Sequence, residues 1–358
     1  VHNPRSLAAL NRRAAHWSNA SGRHWVITEM QMGRQLIAGL LLLCAWPALA
    51  ANPQVAELGT AKAHYPFVLY ANAALDTPAL PVTRAVILLH GIKRNGSEYF
   101  DSGTQLLENA GLDPATTLLL APQFLTDADA DSHPGVPRWA AGQWLHGSPS
   151  FSGVSAFQVL DDLLTLLADR QRFPALREVV LIGHSAGGQL VQRYAVFNPT
   201  DTLLATRGIH LRYGVASPSS YLYFDHQRWH AGHWQASAAT DCPGYNRYRY
   251  GLEKLPAYAS QQKLSAQQLF RRYAARDVVY LVGADDNNPA ARVMDRSCSA
   301  QLQGATRRQR QLQYLHYEQQ LAQQWKIPIS HPQVSVEGIG HDSAALFAAP
   351  ITAKALLP

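Results

Sequence analysis

The chain has 358 residues, 47% of them hydrophobic and 16% charged. That is enough for one large α/β domain and too apolar for a disordered polymer. Its net charge of +6 is unevenly placed: residues 1–50 hold five arginines (Arg5, Arg12, Arg13, Arg23, Arg34) and one acid, Glu29, which leaves the remainder close to neutral. A body this weakly basic argues against nucleic acid as a partner.

The front of the chain reads as an export signal. Arg34 precedes an apolar run from Leu36 to Leu43, which continues to Ala48-Leu49-Ala50. A positive start, a core of this length and small residues at −3 and −1 predict signal-peptidase cleavage after Ala50, with the signal over about residues 30–50. Residues 1–29 have no such logic, and Met30 or Met32 would begin an ordinary signal, so that stretch is expected to be a misassigned start. The run is too short for a comfortable membrane span. Leu43 before Cys44 is not the small residue a lipoprotein signal needs. The expectation is an exported protein, periplasmic or secreted, with residues 51–358 as one domain and no stable membrane anchor. In an oxidising compartment the remaining pair, Cys242 and Cys298, favours a disulfide, with two buried thiols as the alternative.

From residue 84 onward, apolar runs alternate with helical patterns. Arg84–Leu89, Thr116–Ala121, Glu178–Ile182 and Val278–Val282 read as strands covered on both faces, with Ile209–Val215 and Val334–Glu337 as weaker candidates. Helices are expected over Ser155–Arg170, Gly188–Phe197, Leu264–Ala275 and Arg307–Trp325, the last with Leu312, Leu315 and Leu321 as its apolar positions. This order implies a mostly parallel sheet with helices on both sides. The aromatic, loop-like stretch Tyr221–Tyr258 is the expected insertion, either a surface over the site or a satellite core.

The most informative stretch is Val179-Val180-Leu181-Ile182-Gly183-His184-Ser185-Ala186-Gly187-Gly188. It is Gly-x-Ser-x-Gly set between an apolar strand and a helix, the arrangement that exposes a nucleophilic serine on a strained turn. Such a serine needs a base and an orienting acid. His341 follows the last strand in the glycine-flanked loop Gly338-Ile339-Gly340-His341 and is the expected base. The turn Gly283-Ala284-Asp285-Asp286 offers the acid, Asp286 preferred and Asp285 second. An oxyanion needs two backbone N–H donors. Ala186 supplies one, and the loop His90-Gly91-Ile92-Lys93-Arg94, where Gly91 permits close approach, supplies Ile92 as the second. Lys93 and Arg94 read as a solvated pair or as support for that loop. The run Asp127-Ala128-Asp129-Ala130-Asp131-Ser132 has calcium-loop spacing, but Ser132 stands where glycine is wanted and Arg138 where glutamate is, so it reads as a solvated surface loop.

With the His-Gly loop, the Gly-His-Ser-Ala-Gly turn, the Gly-x-x-Asp turn and the late Gly-His loop, residues 62–348 resemble the α/β-hydrolase superfamily, in its order Ser, Asp, His. ILLHGIKRNGSEYF and the segment Asp295–Cys298 are also similar to poorly characterised secreted hydrolases of bacteria and fungi. The resemblance implies an exported serine hydrolase that cleaves a carboxylic ester, small or polymeric, through an acyl-enzyme. Ser185 would be nucleophile, His341 base, Asp286 acid, and the N–H groups of Ala186 and Ile92 oxyanion donors. No metal or organic cofactor is required. Two departures stand out: the early loop lacks the His-Gly-Gly-Gly form of many lipases and esterases, and the acid turn has two adjacent aspartates. An amidase or peptidase, a polyester depolymerase, a thioesterase or a non-catalytic ligand-binding relative would use the same framework.

Overall fold

In β3 (Arg84–Leu89), Ala85, Ile87 and Leu89 enter one buried cluster while Val86 and Leu88 enter another. The same alternation recurs in β7 (Glu178–His184) and β11 (Asp277–Gly283), so each strand fills two cores at once. The computed structural model describes residues 53–129, 133–230, 232–236 and 241–358. The expected signal over residues 30–50 and the stretch before it lie outside these.

The remaining elements, in chain order, are β1 (Pro53–Thr60), β2 (Ala63–Ala71), α1 (Gly96–Asn109), β4 (Thr117–Pro122), the short β5 (Leu125–Thr126) and β6 (Arg138–Trp139), α2 (Ala156–Leu167), α3 (Ala186–Phe197) and α4 (Asp201–Thr206). They continue with β8 (His210–Ala216), β9 (Gln227–His230), β10 (His233–Ala236), α5 (Ala257–Ser260), α6 (Ala266–Ala274), α7 (Cys298–Gln301), α8 (Arg307–Trp325), β12 (Gln333–Val336), α9 (Ser343–Ala348) and α10 (Pro350–Leu356). The main sheet has eight strands in the order β1-β2-β4-β3-β7-β8-β11-β12. From β4 to β12 every neighbouring pair is parallel. Helices α1, α9 and α10 cover one face; α2, α3, α6 and α8 cover the other. This is the doubly covered sheet that the apolar runs predict.

Two expectations are corrected. The chain does not alternate strand and helix throughout: it opens with the antiparallel hairpin β1–β2, whose β2 joins the sheet antiparallel to β4. Helix α8 does not bury a leucine stripe, since Leu312 is exposed, and its inward face is Arg307, Arg310, Gln311, Tyr314, Tyr317, Glu318 and Leu321. The polar groups of that face are tolerated inside because they find partners. Tyr314 donates to the Leu222 carbonyl at 3.0 Å, and Tyr317 to Asp225 at 3.1 Å. Of the Asp127 run, residues 127–129 lie at the surface as expected, none of them buried, and residues 130–132 lie outside the described residues. Asp129 accepts from Arg94 at 3.1 Å and from the backbone and hydroxyl of Thr126 at 2.9 and 3.1 Å.

Within 221–258, Tyr221, Tyr223, Phe224, Tyr245 and Tyr250 are buried, and Tyr221 stacks on Tyr314 at 4.5 Å. Cys242 and Cys298 are joined by a disulfide with Cα atoms 5.8 Å apart, which ties this segment to the start of α7. Among the described residues, no helix is long and apolar enough to cross a membrane.

Candidate active site

The loops that carry the candidate residues all leave the same end of the parallel strands, the rim where open α/β sheets bind ligands. His90 and Gly91 follow β3, Ser185 follows β7, Asp286 follows β11 and His341 follows β12.

Ser185 sits between β7 and α3 with φ 58° and ψ −113°, a left-handed conformation that costs a non-glycine residue on the order of 1–3 kcal/mol. The surroundings hold it there. Its N–H donates to the Ala216 carbonyl at 2.9 Å, and its carbonyl accepts from Gln189 at 3.0 Å. The flanking glycines are steric requirements. A Cβ on Gly183 would stand 2.3 Å from the backbone of Gly187, and one on Gly187 would stand 2.6 Å from the Leu89 carbonyl. As the first residue of α3, Ala186 has no carbonyl one turn back for its N–H, and the helix dipole points its positive end at this spot.

His341 Nε2 lies 2.9 Å from Ser185 Oγ, and His341 Nδ1 lies 2.8 Å from Asp286 Oδ2. A carboxylate only accepts, so the imidazole proton sits on Nδ1 and the Nε2 lone pair faces the hydroxyl. Asp286 is buried, whereas Asp285 beside it is exposed. The other oxygen of Asp286 accepts from Arg307 at 3.3 Å, and the Arg307 side chain is wholly buried. Arg307 also donates to the Val293 carbonyl at 3.1 Å, so the acid and the loop over the cleft share one support.

Three supporting residues carry no sequence signal of their own. Arg307 belongs to no motif, and only the fold brings α8 under the acid turn. His184, at a variable position of the serine motif, stacks on His341 with ring centroids 4.7 Å apart. Its Nδ1 is hydrogen-bonded to Tyr99 Oη at 3.0 Å. Burial, reinforced by the charges of His341 and Arg307, holds His184 well below the ordinary imidazole pKa, so it is a neutral platform for the ring it touches. Burial likewise raises the pKa of Tyr99 to about 12.

His90 fixes the loop after β3. Its Nε2 accepts from Phe124 N–H at 3.0 Å, which leaves the proton on Nδ1, 2.9 Å from the Gly91 carbonyl. Burial pulls its pKa to about 4, so it remains neutral. Gly91 lies close to the serine: a Cβ there would be 3.6 Å from Ser185 Cβ and 3.0 Å from Tyr99 Oη. Arg94, at φ 58°, is pinned by Asp129 and so supports the loop.

Two clefts meet at Ser185. One, of about 260 Å³, is lined by Gly91, Ile92, Lys93, Glu98, His341 and Asp342. The other, of about 370 Å³, is lined by Ile92, His146, Ala186, Gln189, Arg249 and Arg292. A hydroxyl, an imidazole and a carboxylate in series, with N–H groups beside them, can transfer an acyl group to water. Among the described residues, no cluster of histidine, cysteine or acidic groups could hold a metal ion.

No protein-family model and no curated protein matches the chain. Among solved structures it is similar to a poly(3-hydroxybutyrate) depolymerase from Bordetella parapertussis, with TM-score 0.59 and 22% identity over 83% of this chain and 88% of that one. It is also similar to a poly(aspartic acid) hydrolase from Sphingomonas, with TM-score 0.60 and 17% identity over 86% of this chain and all of the other. The sheet order, the strand-to-helix serine turn and these likenesses agree: the chain has the fold of the α/β-hydrolase superfamily.

Proposed function

We propose that this protein is an exported serine hydrolase that cleaves a carboxylic ester through an acyl-enzyme. The observation that carries the reading is the unbroken series from Asp286 through His341 to Ser185, with contacts of 2.8 and 2.9 Å. His341 takes the Ser185 proton as Oγ attacks the ester carbonyl. The N–H groups of Ala186 and Ile92 stabilise the developing oxyanion. Asp286 holds the imidazole tautomer and balances its charge once protonated. His341 then passes the proton to the leaving alcohol, and water repeats the sequence on the acyl-enzyme. The Cys242–Cys298 disulfide supports the oxidising compartment that residues 30–50 suggest.

A fluorophosphonate probe tests the reading directly. The native protein is expected to take the label on Ser185, and Ser185→Ala to lose both label and esterase activity. A protein that stays unlabelled and cleaves no 4-nitrophenyl ester is not such an enzyme. Cleavage of anilides with no cleavage of esters would make it an amidase.

A further inference from the structure

The larger cleft beside Ser185 is positively charged, and its positive charge is built in from beneath. Arg193 is fully buried and donates only to neutral acceptors: the carbonyls of Arg249 (3.2 Å) and Gln189 (3.0 Å), Ser220 Oγ (3.0 Å) and Gln189 Oε1 (3.5 Å). Arg310, also buried, donates to the carbonyls of Gly304 and Ser219. Neither forms an ion pair among the described residues. Burial lowers both pKa values, to about 10, which leaves both charged at neutral pH. Arg249 lines the cavity and shares its guanidinium between His146, Tyr250 and Asp295. Among the described residues, Asp295 is the only acid lining the cavity, and it is already engaged by Arg249, Tyr250 and the Ser297 N–H. At the rim, Arg296 donates to backbone carbonyls, and the exposed Arg292 has no hydrogen bond or ion pair among the described residues. The rim loop that carries both is fastened by Arg307 at Val293 and by the disulfide at Cys298. The site is therefore preorganised, and its cations exceed its anions.

The proton path fixes which half of a substrate meets these arginines. His341 must protonate the leaving oxygen, so the alcohol lies in the cleft that His341 lines, where Lys93 is offset by Glu98 and Asp342. The acyl chain then runs into the cleft of Arg249, Arg292 and Arg296, which His341 does not line. We propose that the preferred substrates are esters whose acyl portion ends in a free carboxylate, the half-esters of dicarboxylic acids. The proposal deepens the esterase reading and rests on it. Guanidinium groups suit a carboxylate because they can donate two parallel N–H bonds, and a low-dielectric floor of unpaired arginines strengthens the attraction.

The test compares mono-4-nitrophenyl esters of glutaric, adipic and pimelic acids with their methyl diester counterparts, after subtraction of spontaneous hydrolysis. At low ionic strength the free acids are expected to show at least tenfold higher kcat/KM, carried mainly by KM. The ratio should shrink in 0.5 M salt, because exposed Arg292 and Arg296 are screened. In the double variant Arg292→Gln, Arg296→Gln it should fall several-fold. Free adipate should inhibit the native enzyme competitively and the double variant more weakly. Acids cleaved no faster than their methyl esters would overturn the proposal while leaving the esterase intact. Were the protein to cleave neither and take no fluorophosphonate label, the esterase reading would fail instead. Calorimetric binding of adipate would then decide the cleft: arginine-dependent binding retains it as a carboxylate site, and no binding overturns it.

Discussion

The two faces of the central sheet are filled in different ways. Under α1, α9 and α10 the strands present Val86, Leu88, Val180, Ile182, Val279 and Leu281, a largely aliphatic layer. Under α8 the neighbouring space holds Tyr221, Tyr273, Tyr280, Tyr314 and Tyr317, with Glu318 bonded to Tyr280 at 2.6 Å and to His331 at 3.0 Å. The aliphatic face is held by non-directional burial, which tolerates shape-conserving exchange. The aromatic face is held by buried hydrogen bonds, whose loss leaves a partner stranded. Both faces reach the candidate active site, but by different means: on the first, Tyr99 of α1 bonds His184, which stacks on His341, whereas on the second α8 begins with Arg307 against Asp286 and continues to Arg310 beneath the arginine-lined cleft.

Breaking that link where it meets the chemistry should have the largest effect. Asp286→Asn is expected to lower kcat by about four orders of magnitude, because an amide no longer dictates the His341 tautomer. Circular dichroism should show an intact fold, and fluorophosphonate labelling should slow in step with esterase activity. A fall of less than tenfold would remove Asp286 from the proposed series.

Further along the same face, Glu318→Ala should cost about 3–5 kcal/mol, since it strands His331 in a buried interior and leaves the Tyr280 hydroxyl with Tyr273 alone. Denaturant unfolding measures the loss. Glu318→Met, which fills the volume without a charge, should cost less than Glu318→Ala.

Acid sharpens the contrast, because buried polar groups titrate and aliphatic ones do not. His90 packs on Phe124 and Trp144 and is held neutral, its pKa drawn by burial from 6.5 to about 4. Between these values the unfolded chain binds the proton and the folded one does not. Its contribution is therefore fully present above pH 6.5 and is lost as pH falls towards 4. The shift is equivalent to about 3 kcal/mol. His90→Gln should be less stable at pH 7 yet lose less on acidification to pH 4.5; an unchanged pH dependence would remove His90 from this role.

The contrast also explains what the sequence could reveal. Strands β3, β7 and β11 and the serine turn were legible because their constraints are local: unbroken apolar runs, and glycines where a Cβ would strike backbone. Helix α8 was legible in extent, from Arg307 to Trp325, but its buried face was not. Leucine spacing pointed to Leu312, whereas burial followed hydrogen-bond partners distant in the chain, such as Leu222 for Tyr314. Arg307 and His184 were hidden for the same reason, since a positioning residue is defined by what the fold brings to it. The β1–β2 hairpin was missed because β1 is an edge strand with exposed positions and no continuous apolar run.

The finest test removes one heavy atom from each face. Ile182 is fully buried and lies over Gly214, where a Cβ would sit 3.1 Å from its Cγ2 and 2.7 Å from Leu356. Ile182→Val keeps the β-branch that suits a strand and deletes only a terminal methyl, for about 0.5–1.5 kcal/mol. Tyr280→Phe deletes one oxygen on the opposite face. It leaves Tyr273 without this hydroxyl partner and Glu318 Oε1 without the Tyr280 donor, so a cost of roughly 1.5–3 kcal/mol is expected. Thermal melts of the two variants should therefore rank the tyrosine change as the more damaging, although it creates almost no void. The opposite rank would mean that packing, rather than hydrogen-bond satisfaction, dominates under α8 as well.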